Sequence, residues 1–211
     1  MRIYQIEPAV RVLGPGVRFG LWLQGCQFRC PGCLAPNSWD LKGGREIGVE
    51  EVARQILKAP KITGITISGG EPLLQRRELE ELLEIVLSSR PDLNTILYTG
   101  YRWEELLQLS GIAPLLRWID LIIDGEYRRE LNRGTPFRGS ENQRFIPLSV
   151  TGAQLLHQMG LLSTPHPPRE VELFFRGKEL FIAGIPPVGF QLPSGGRSAP
   201  EGHLNLEKKG G

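Results

Sequence analysis

Residues 17–33 read VRFGLWLQGCQFRCPGC, and the fold turns on how that run divides. Residues 17–23 (VRFGLWL) are mostly apolar, the pattern of a buried strand. Residues 24–33 then switch to glutamine, glycine, proline and cysteine, which is loop chemistry. A buried strand that empties straight into a polar loop is the start of a strand–loop–helix unit. In open α/β sheets, such loops beyond the carboxyl ends of the strands are where ligands sit.

The rest of the chain repeats that plan. Residues 49–58 place apolar side chains at Val49, Val52, Ala53, Ile56 and Leu57, which is helical spacing. Residues 62–68 (ITGITIS) are β-branched and stop at Gly69-Gly70, a strand ending in a glycine turn. Residues 76–87 carry Leu79, Leu82, Leu83 and Val86 on one face and carboxylates on the other, an amphipathic helix. Residues 94–99 (NTILYT) predict a strand, 103–109 a short helix, and 118–123 (WIDLII) a further strand. Alternation of strands and helices argues for parallel strands joined by right-handed crossovers. The expected fold class is α/β: a partial (βα) barrel of about four to six parallel strands, since eight units need about 250 residues. The cysteine loop, Gly69-Gly70-Glu71, Thr99-Gly100 and Asp124-Gly125 all follow strand ends, so four polar or glycine-rich tips converge on one edge.

Beyond about residue 150 the character changes. Residues 163–168 (STPHPP) predict a linker, and residues 171–176 and 179–183 flank Gly177-Lys178 as a β-hairpin. Residues 186–211, rich in Gly, Pro and Ser, are expected to be a disordered tail. The expected division is a core at 1–150, an extension with the hairpin at 151–185, and the tail.

Bulk properties narrow the function. The chain has 211 residues, 40% hydrophobic and 23% charged, ordinary for a soluble globular protein. A net charge of +2 gives no case for a nucleic-acid partner. No apolar run reaches the roughly 18 residues of a membrane span, and the N-terminus lacks a signal-peptide core, so a cytoplasmic location is expected. No Ser-His-Asp set, paired carboxylates, G-x-G-x-x-G or Walker pattern is present.

All three cysteines, Cys26, Cys30 and Cys33, fall in one C-x3-C-x2-C segment. They are odd in number and crowded, a poor disulfide framework. One compact loop offers three thiolates to a single centre. Iron–sulfur cubanes usually take four cysteines, one per iron, so three protein ligands leave one iron open, and an open coordination position is how a metal meets a substrate. Arg29 and the loop amides are expected to favour thiolate over thiol. The alternatives are a Cys3His zinc site using His157, His166 or His203, a disulfide with one spare thiol, or three small core residues.

The C-x3-C-x2-C loop after the first strand, followed by Ser68-Gly69-Gly70-Glu71-Pro72, resembles the radical S-adenosylmethionine (SAM) superfamily. The segments Asn37-Ser38-Trp39-Asp40, Tyr98-Thr99-Gly100-Tyr101, Asp124-Gly125, Phe137-Arg138-Gly139-Ser140 and Asn142-Gln143-Arg144 bring it nearest to the activating enzymes of glycyl-radical enzymes, in the anaerobic ribonucleotide reductase branch. The resemblance covers about residues 1–150. It implies a 4Fe–4S cluster on Cys26, Cys30 and Cys33, whose open iron is chelated by the methionine amino and carboxylate groups of SAM. Reduction then cleaves the sulfonium to methionine and a deoxyadenosyl radical, which takes a hydrogen atom from the target. Low-potential iron–sulfur centres, at about −400 mV or below, suit that chemistry. The resemblance also implies that Gly69 and Gly70, with Ser68 and Glu71 beside them, meet the methionine end. Thr99 either bonds a ribose hydroxyl or the methionine carboxylate or caps the helix at Arg102, and Asp124 either accepts from the ribose or belongs to an Asp-Gly turn. Adenine contact falls to Leu34 or the backbone near Gly32, where many members carry an aromatic before the third cysteine.

The implied partners are a glycyl-radical protein, of the anaerobic ribonucleotide reductase or pyruvate formate-lyase type, and a flavodoxin- or ferredoxin-like electron donor. Two other readings stand beside this one. In the first, the same chemistry acts on a peptide, metabolite or other protein. In the second, the chain is a non-enzymatic iron–sulfur electron-transfer module or a zinc-binding module. Arg133, Arg138 and Asn142-Gln143-Arg144 either touch SAM or order their loop. Trp39 and Trp103 are expected in the core, and His157 and His166 carry no role.

Overall fold

In a computed structural model the described residues are 1–161, 170–177, 179–186 and 204–205. Strand β1 (Arg2–Val10) lies antiparallel to β2 (Arg18–Leu23), and the two-residue β3 (Arg45–Glu46) pairs on the other side of β1. There follow α1 (Val49–Lys58), β4 (Gly64–Gly69), α2 (Arg76–Ser89), β5 (Asn94–Thr99), the single turns α3 (Trp103–Leu106) and α4 (Ala113–Leu116), β6 (Leu121–Asp124), β7 (Arg144–Pro147) and α5 (Val150–Gln158). The seven strands form one mixed sheet in the order β3-β1-β2-β4-β5-β6-β7. Its four central strands, β2, β4, β5 and β6, are parallel, while β1, β3 and β7 run antiparallel to their neighbours.

The parallel strands are buried on both faces, hence their near-continuous apolar runs. Every residue of β2 and β6 is buried. One face is covered by α1, through Val49, Val52, Ala53 and Ile56, and by α2, through Leu79, Leu82, Leu83 and Val86. On the other face, Leu155 and Met159 of the α5 segment pack on Ile96, Leu121 and Ile123. Helix α5 is capped by Ser149, whose hydroxyl accepts from the Gly152 amide at 3.0 Å. A Cβ at Gly152 would lie 1.9 Å from the Asp120 carbonyl, so the helix sits directly on the chain leading into β6. The first residues of the 151–185 segment thus belong with the central sheet.

Residue-by-residue pairing aligns the strand ends. Arg18, Gly64 and Asn94 lie abreast at the amino ends of β2, β4 and β5. At the carboxyl ends Leu23 pairs with Gly69, and Thr99 pairs with Asp124. The four tips predicted from sequence therefore leave one edge of the sheet together.

A second sheet is built from β8 (Val171–Arg176) and β9 (Glu179–Gly184), the hairpin read from sequence, with the two-residue β10 (Leu204–Asn205) beside β9. The linker expected at residues 163–168 lies outside the described residues. So does the expected disordered tail, apart from residue 186 and β10. The strand expected at 62–68 runs over Gly64–Gly69. The one expected at 118–123 is confined to Leu121–Asp124, because the Thr95 side chain and the Asp120 carboxylate tie down the preceding residues. The helix expected at 103–109 is the single turn α3. No helix among the described residues is long and apolar enough to cross a membrane.

Candidate active site

The site starts where β2 ends. Gly25 has φ +98°, a turn open to glycine, and its amide donates to the Ser38 carbonyl at 2.7 Å. The Cys26 amide bonds the Trp39 carbonyl at 3.1 Å, so the cysteine loop is stapled at its base to the short 3-10 turn (Pro36–Ser38) on its return limb. Gln24 reinforces the staple by donating to the Asn37 and Asp40 carbonyls at 3.1 and 2.8 Å. The tip of β4 joins from the other side: Gly70 donates to the Leu23 carbonyl at 2.8 Å, and Glu71 to the Gly25 carbonyl at 2.7 Å.

Those bonds explain the two glycines. A Cβ on Gly69, whose φ is +108°, would lie 2.4 Å from the Leu23 amide and carbonyl. One on Gly70 would lie 2.1 Å from the Gly25 carbonyl oxygen. The glycines are required first by the closeness of two backbones. The β5 tip is fitted in the same way: Gly100 lies beneath the Phe28 ring, which meets Tyr101 edge-on at 5.0 Å. Gly32, at φ +74°, makes room for Arg129, whose Cδ would lie 3.0 Å from an added Cβ.

One cavity of about 790 Å³ gathers these tips. Cys26, Cys30 and Cys33 line it, none of them in a disulfide. Gly32, Leu34, Ser68, Gly69, Gly70, Glu71 and Thr99 line it as well. Asp124 does not. Its carboxylate accepts from the Trp103 amide at 2.6 Å and from the amide and guanidinium of Arg144 at 3.2 and 3.1 Å. Arg144 in turn grips Glu104 through two bonds of 2.9 and 2.8 Å. Asp124 thus anchors β7 and α3.

Glu71 and Thr99 are also engaged. The buried Glu71 carboxylate accepts from the Leu73 amide, the Thr99 hydroxyl and the Gly100 amide at 2.9, 2.9 and 2.8 Å. It bridges the tips of β4 and β5 at the floor of the cavity. Gln143 orders the next loop, accepting from Gly139 at 2.7 Å and donating to the Gly125 carbonyl at 2.8 Å. Arg138 bonds the Gln143 carbonyl and Asn142 the Glu126 carbonyl, so this run orders its loop. Trp39, expected in the core, lines the cavity, while Trp103 packs against the core. His157 is exposed on α5, and His166 lies outside the described residues.

Burial dominates the electrostatics. It raises the Cys26 thiol against the pull of the Arg29 and Phe28 amides, and pushes Cys30 up to about 11. The loop amides favour thiolate as expected, but desolvation outweighs them. Binding a metal centre here therefore releases protons. Burial also pushes the Glu71 carboxyl up to about 7, against its three hydrogen bonds. The folded chain holds that proton more tightly than the unfolded chain, whose ordinary value is 4.5. This stabilisation is complete below 4.5 and is lost as pH climbs through about 7. Between about pH 5 and pH 8 the wild type is expected to lose roughly 3 kcal/mol from this group. Glu71→Gln should remove that slope. Urea titrations of both proteins at the two pH values check it, and an equal slope in the variant assigns the titration elsewhere.

The donor set suits an iron–sulfur centre. A cubane takes one thiolate per iron, so its sulfurs need not converge on one point. Among the described residues no three or more His, Cys, Asp or Glu side chains are grouped to hold a single metal ion. Sequence reasoning missed Phe28, Tyr127, Arg129, Trp22 and Phe181 as cavity residues. Phe28 sits inside the motif and was legible there. The others carry no local signal, because only tertiary packing brings them to the cavity.

A family profile described as a 4Fe-4S single cluster domain matches residues 12–146. The chain belongs to this family, as a radical SAM enzyme of the glycyl-radical-activating branch. It is similar to the anaerobic ribonucleoside-triphosphate reductase-activating protein of Enterobacteria phage T4, 36% identical over 149 residues that cover 68% of this chain and 92% of that protein. The protein of the same name from Vibrio cholerae is 32% identical over 151 residues, covering 68% and 96%. The pyruvate formate-lyase-activating enzyme of Clostridium pasteurianum is 36% identical over 123 residues, covering 54% of this chain and 51% of that protein.

Proposed function

We propose that this chain holds a 4Fe–4S cluster on Cys26, Cys30 and Cys33, binds SAM in the same cavity, and installs a glycyl radical on a partner protein. The observation that carries the reading is the joint cavity. Three free thiols and the glycine tip of β4 line one chamber, and direct backbone bonds hold the loop and the tip together. When bound, the cluster and SAM together supply a reductive cleavage to methionine and a deoxyadenosyl radical.

The protein's own part is to hold, orient and exclude water. Ser68, Gly69 and Gly70 present backbone and a small hydroxyl to the methionine end, while Gly32 and the 45%-exposed Leu34 offer a face for the adenine. Glu71 and Thr99 act as braces beneath them, and Asp124 as a brace outside the cavity. The partner is a glycyl-radical enzyme of the anaerobic ribonucleotide reductase or pyruvate formate-lyase type, in keeping with what the relatives activate. The electron comes from a flavodoxin- or ferredoxin-like protein, and the setting is the cytoplasm. In this reading residues 1–150 are the catalytic core, with the parallel strands curved as a partial barrel.

The test is to load the protein with iron and sulfide without oxygen, reduce it, add SAM and assay deoxyadenosine and methionine. Wild type should form both, and Cys30→Ala should form neither above background. A reduced cubane that leaves SAM untouched in the wild type would overturn the proposal.

A further inference from the structure

The hairpin β8–β9 stands apart from the family match. That match ends at residue 146, and the similar region already takes up 92% and 96% of the T4 and Vibrio proteins. Those relatives have little length left for a counterpart of residues 170–186. Yet this segment forms part of the cavity lining, through Glu170, Phe181, Ile182 and Gly184 among others.

Its attachment is specific. The Phe181 ring meets the Trp22 indole edge-on at 4.8 Å and Tyr4 at 6.2 Å. Phe181 and Ala183 are buried in a small apolar cluster with Val10, Leu13 and Trp22. At the rim the Arg11 amide donates to the Glu172 carboxylate at 2.7 Å. Trp22, buried and itself lining the cavity, comes one residue before Leu23, whose carbonyl receives the Gly70 amide. The hairpin thus holds the strand from which the cysteine loop springs. The outer side of the same hairpin is different, with Phe175 61% exposed.

We propose that the hairpin is a wall of the reaction cavity for which the T4 and Vibrio relatives have little room, with Phe181 as the residue that positions it through Trp22. It shields the cysteine-bearing chamber from small dissolved molecules and so selects an acceptor delivered by a docked protein chain. The inference rests on the function proposed above for the identity of the acceptor, but the wall itself is a property of the chain.

The test therefore has two arms. In the first, the whole 211-residue chain before cluster loading is treated with a bulky maleimide, and modification of Cys26, Cys30 and Cys33 is followed by mass spectrometry. Phe181→Ala should be modified at least several-fold faster than wild type, and Phe175→Ala at the wild-type rate. Should Phe181→Ala lose its circular dichroism, Glu172→Ala replaces it, since it removes only the rim attachment, with the same expectation. Equal rates in wild type and the loosened variant overturn the wall, and so does acceleration by Phe175→Ala. In the second arm, the loaded enzyme with SAM, excess dithionite as electron source and a small thiol as hydrogen-atom donor, but no acceptor protein, should form deoxyadenosine several-fold faster when the wall is loosened, because the dissolved donor then reaches the chamber. Faster labelling in a protein that never cleaves SAM would leave the wall standing and remove the functional reading instead.

Discussion

Arg18→Met is expected to cost about 3–5 kcal/mol of unfolding free energy, because it leaves several buried acceptors without a donor at about 1–3 kcal/mol each. Arg18 is 0% exposed. Its guanidinium donates to the Ile65 carbonyl at 2.8 Å, to Asn94 Oδ1 at 2.7 Å and to the Thr66 hydroxyl, with longer bonds to the Asn94 and Pro15 carbonyls at 3.3 and 3.4 Å. One planar group thus ties the amino ends of β2, β4 and β5. Burial lowers its pKa to about 10, which leaves it charged at neutral pH. No carboxylate lies within ion-pair distance among the described residues, so neutral acceptors, helped by the more distant charge of Asp120, offset its desolvation. Methionine fills much of the volume but strands these acceptors, and buried acceptors without partners cost about 1–3 kcal/mol each. Lysine offers three donors on a flexible stem in place of five in a fixed plane, so Arg18→Lys should fall between methionine and wild type. Urea unfolding measures all three, and a loss below about 1 kcal/mol for Arg18→Met would show that the network is dispensable.

Gly70→Ala is the second large effect, and it falls at the opposite end of the sheet. The new methyl would lie 2.1 Å from the Gly25 carbonyl oxygen, 2.7 Å from its carbon and 3.0 Å from the Ser38 carbonyl. All three atoms are backbone, so no side chain can swing aside. Either the β4 tip or the base of the cysteine loop has to move. Overpacking of this kind costs about 3 kcal/mol or more. For a chain of this size that is a fall in Tm of roughly 10 °C. The functional loss should be larger than the stability loss, because the displaced atoms carry Cys26. Iron content after anaerobic loading should fall well below that of the wild type even at temperatures where the variant remains folded. A variant that melts early yet loads iron normally would separate the tip from the cysteine loop.

The parallel core was legible because each of its elements states its own pattern. Residues 49–58 and 94–99 were read to the residue, since α1 has a clean apolar face and β5 a β-branched run between polar ends. Strand β1 was not read. It contains Pro8, and irregularities between Ile3 and Gln5 and between Glu7 and Val10 break its alternation. Helix α5 was hidden by Val150, Thr151 and Gly152, poor helix formers whose placement is decided by the contact with Asp120. At the site, the cysteines and glycines were legible because their chemistry is local. Asp124 and Glu71 were legible as carboxylates at strand ends, but their partners were not. The Arg144 guanidinium and the Gly100 amide reach them from 20 and 29 residues away. Sequence places a polar group at a tip, and only the packed structure decides whether it faces a ligand or a neighbour.

The bond between the Glu71 amide and the Gly25 carbonyl bears on how such a site can be moved or copied. The recognisable cysteine signature is contiguous, but the object that fixes its shape is not. The loop base borrows its conformation from a strand end some forty-odd residues later, and that strand end cannot close without the loop. A graft of the cysteine segment alone into a foreign scaffold would therefore carry the ligands without their geometry. The smallest portable unit is the pair β2 and β4 with both tips. The stretch from β3 through α1 is where insertions and deletions can accumulate without reaching the cysteine loop.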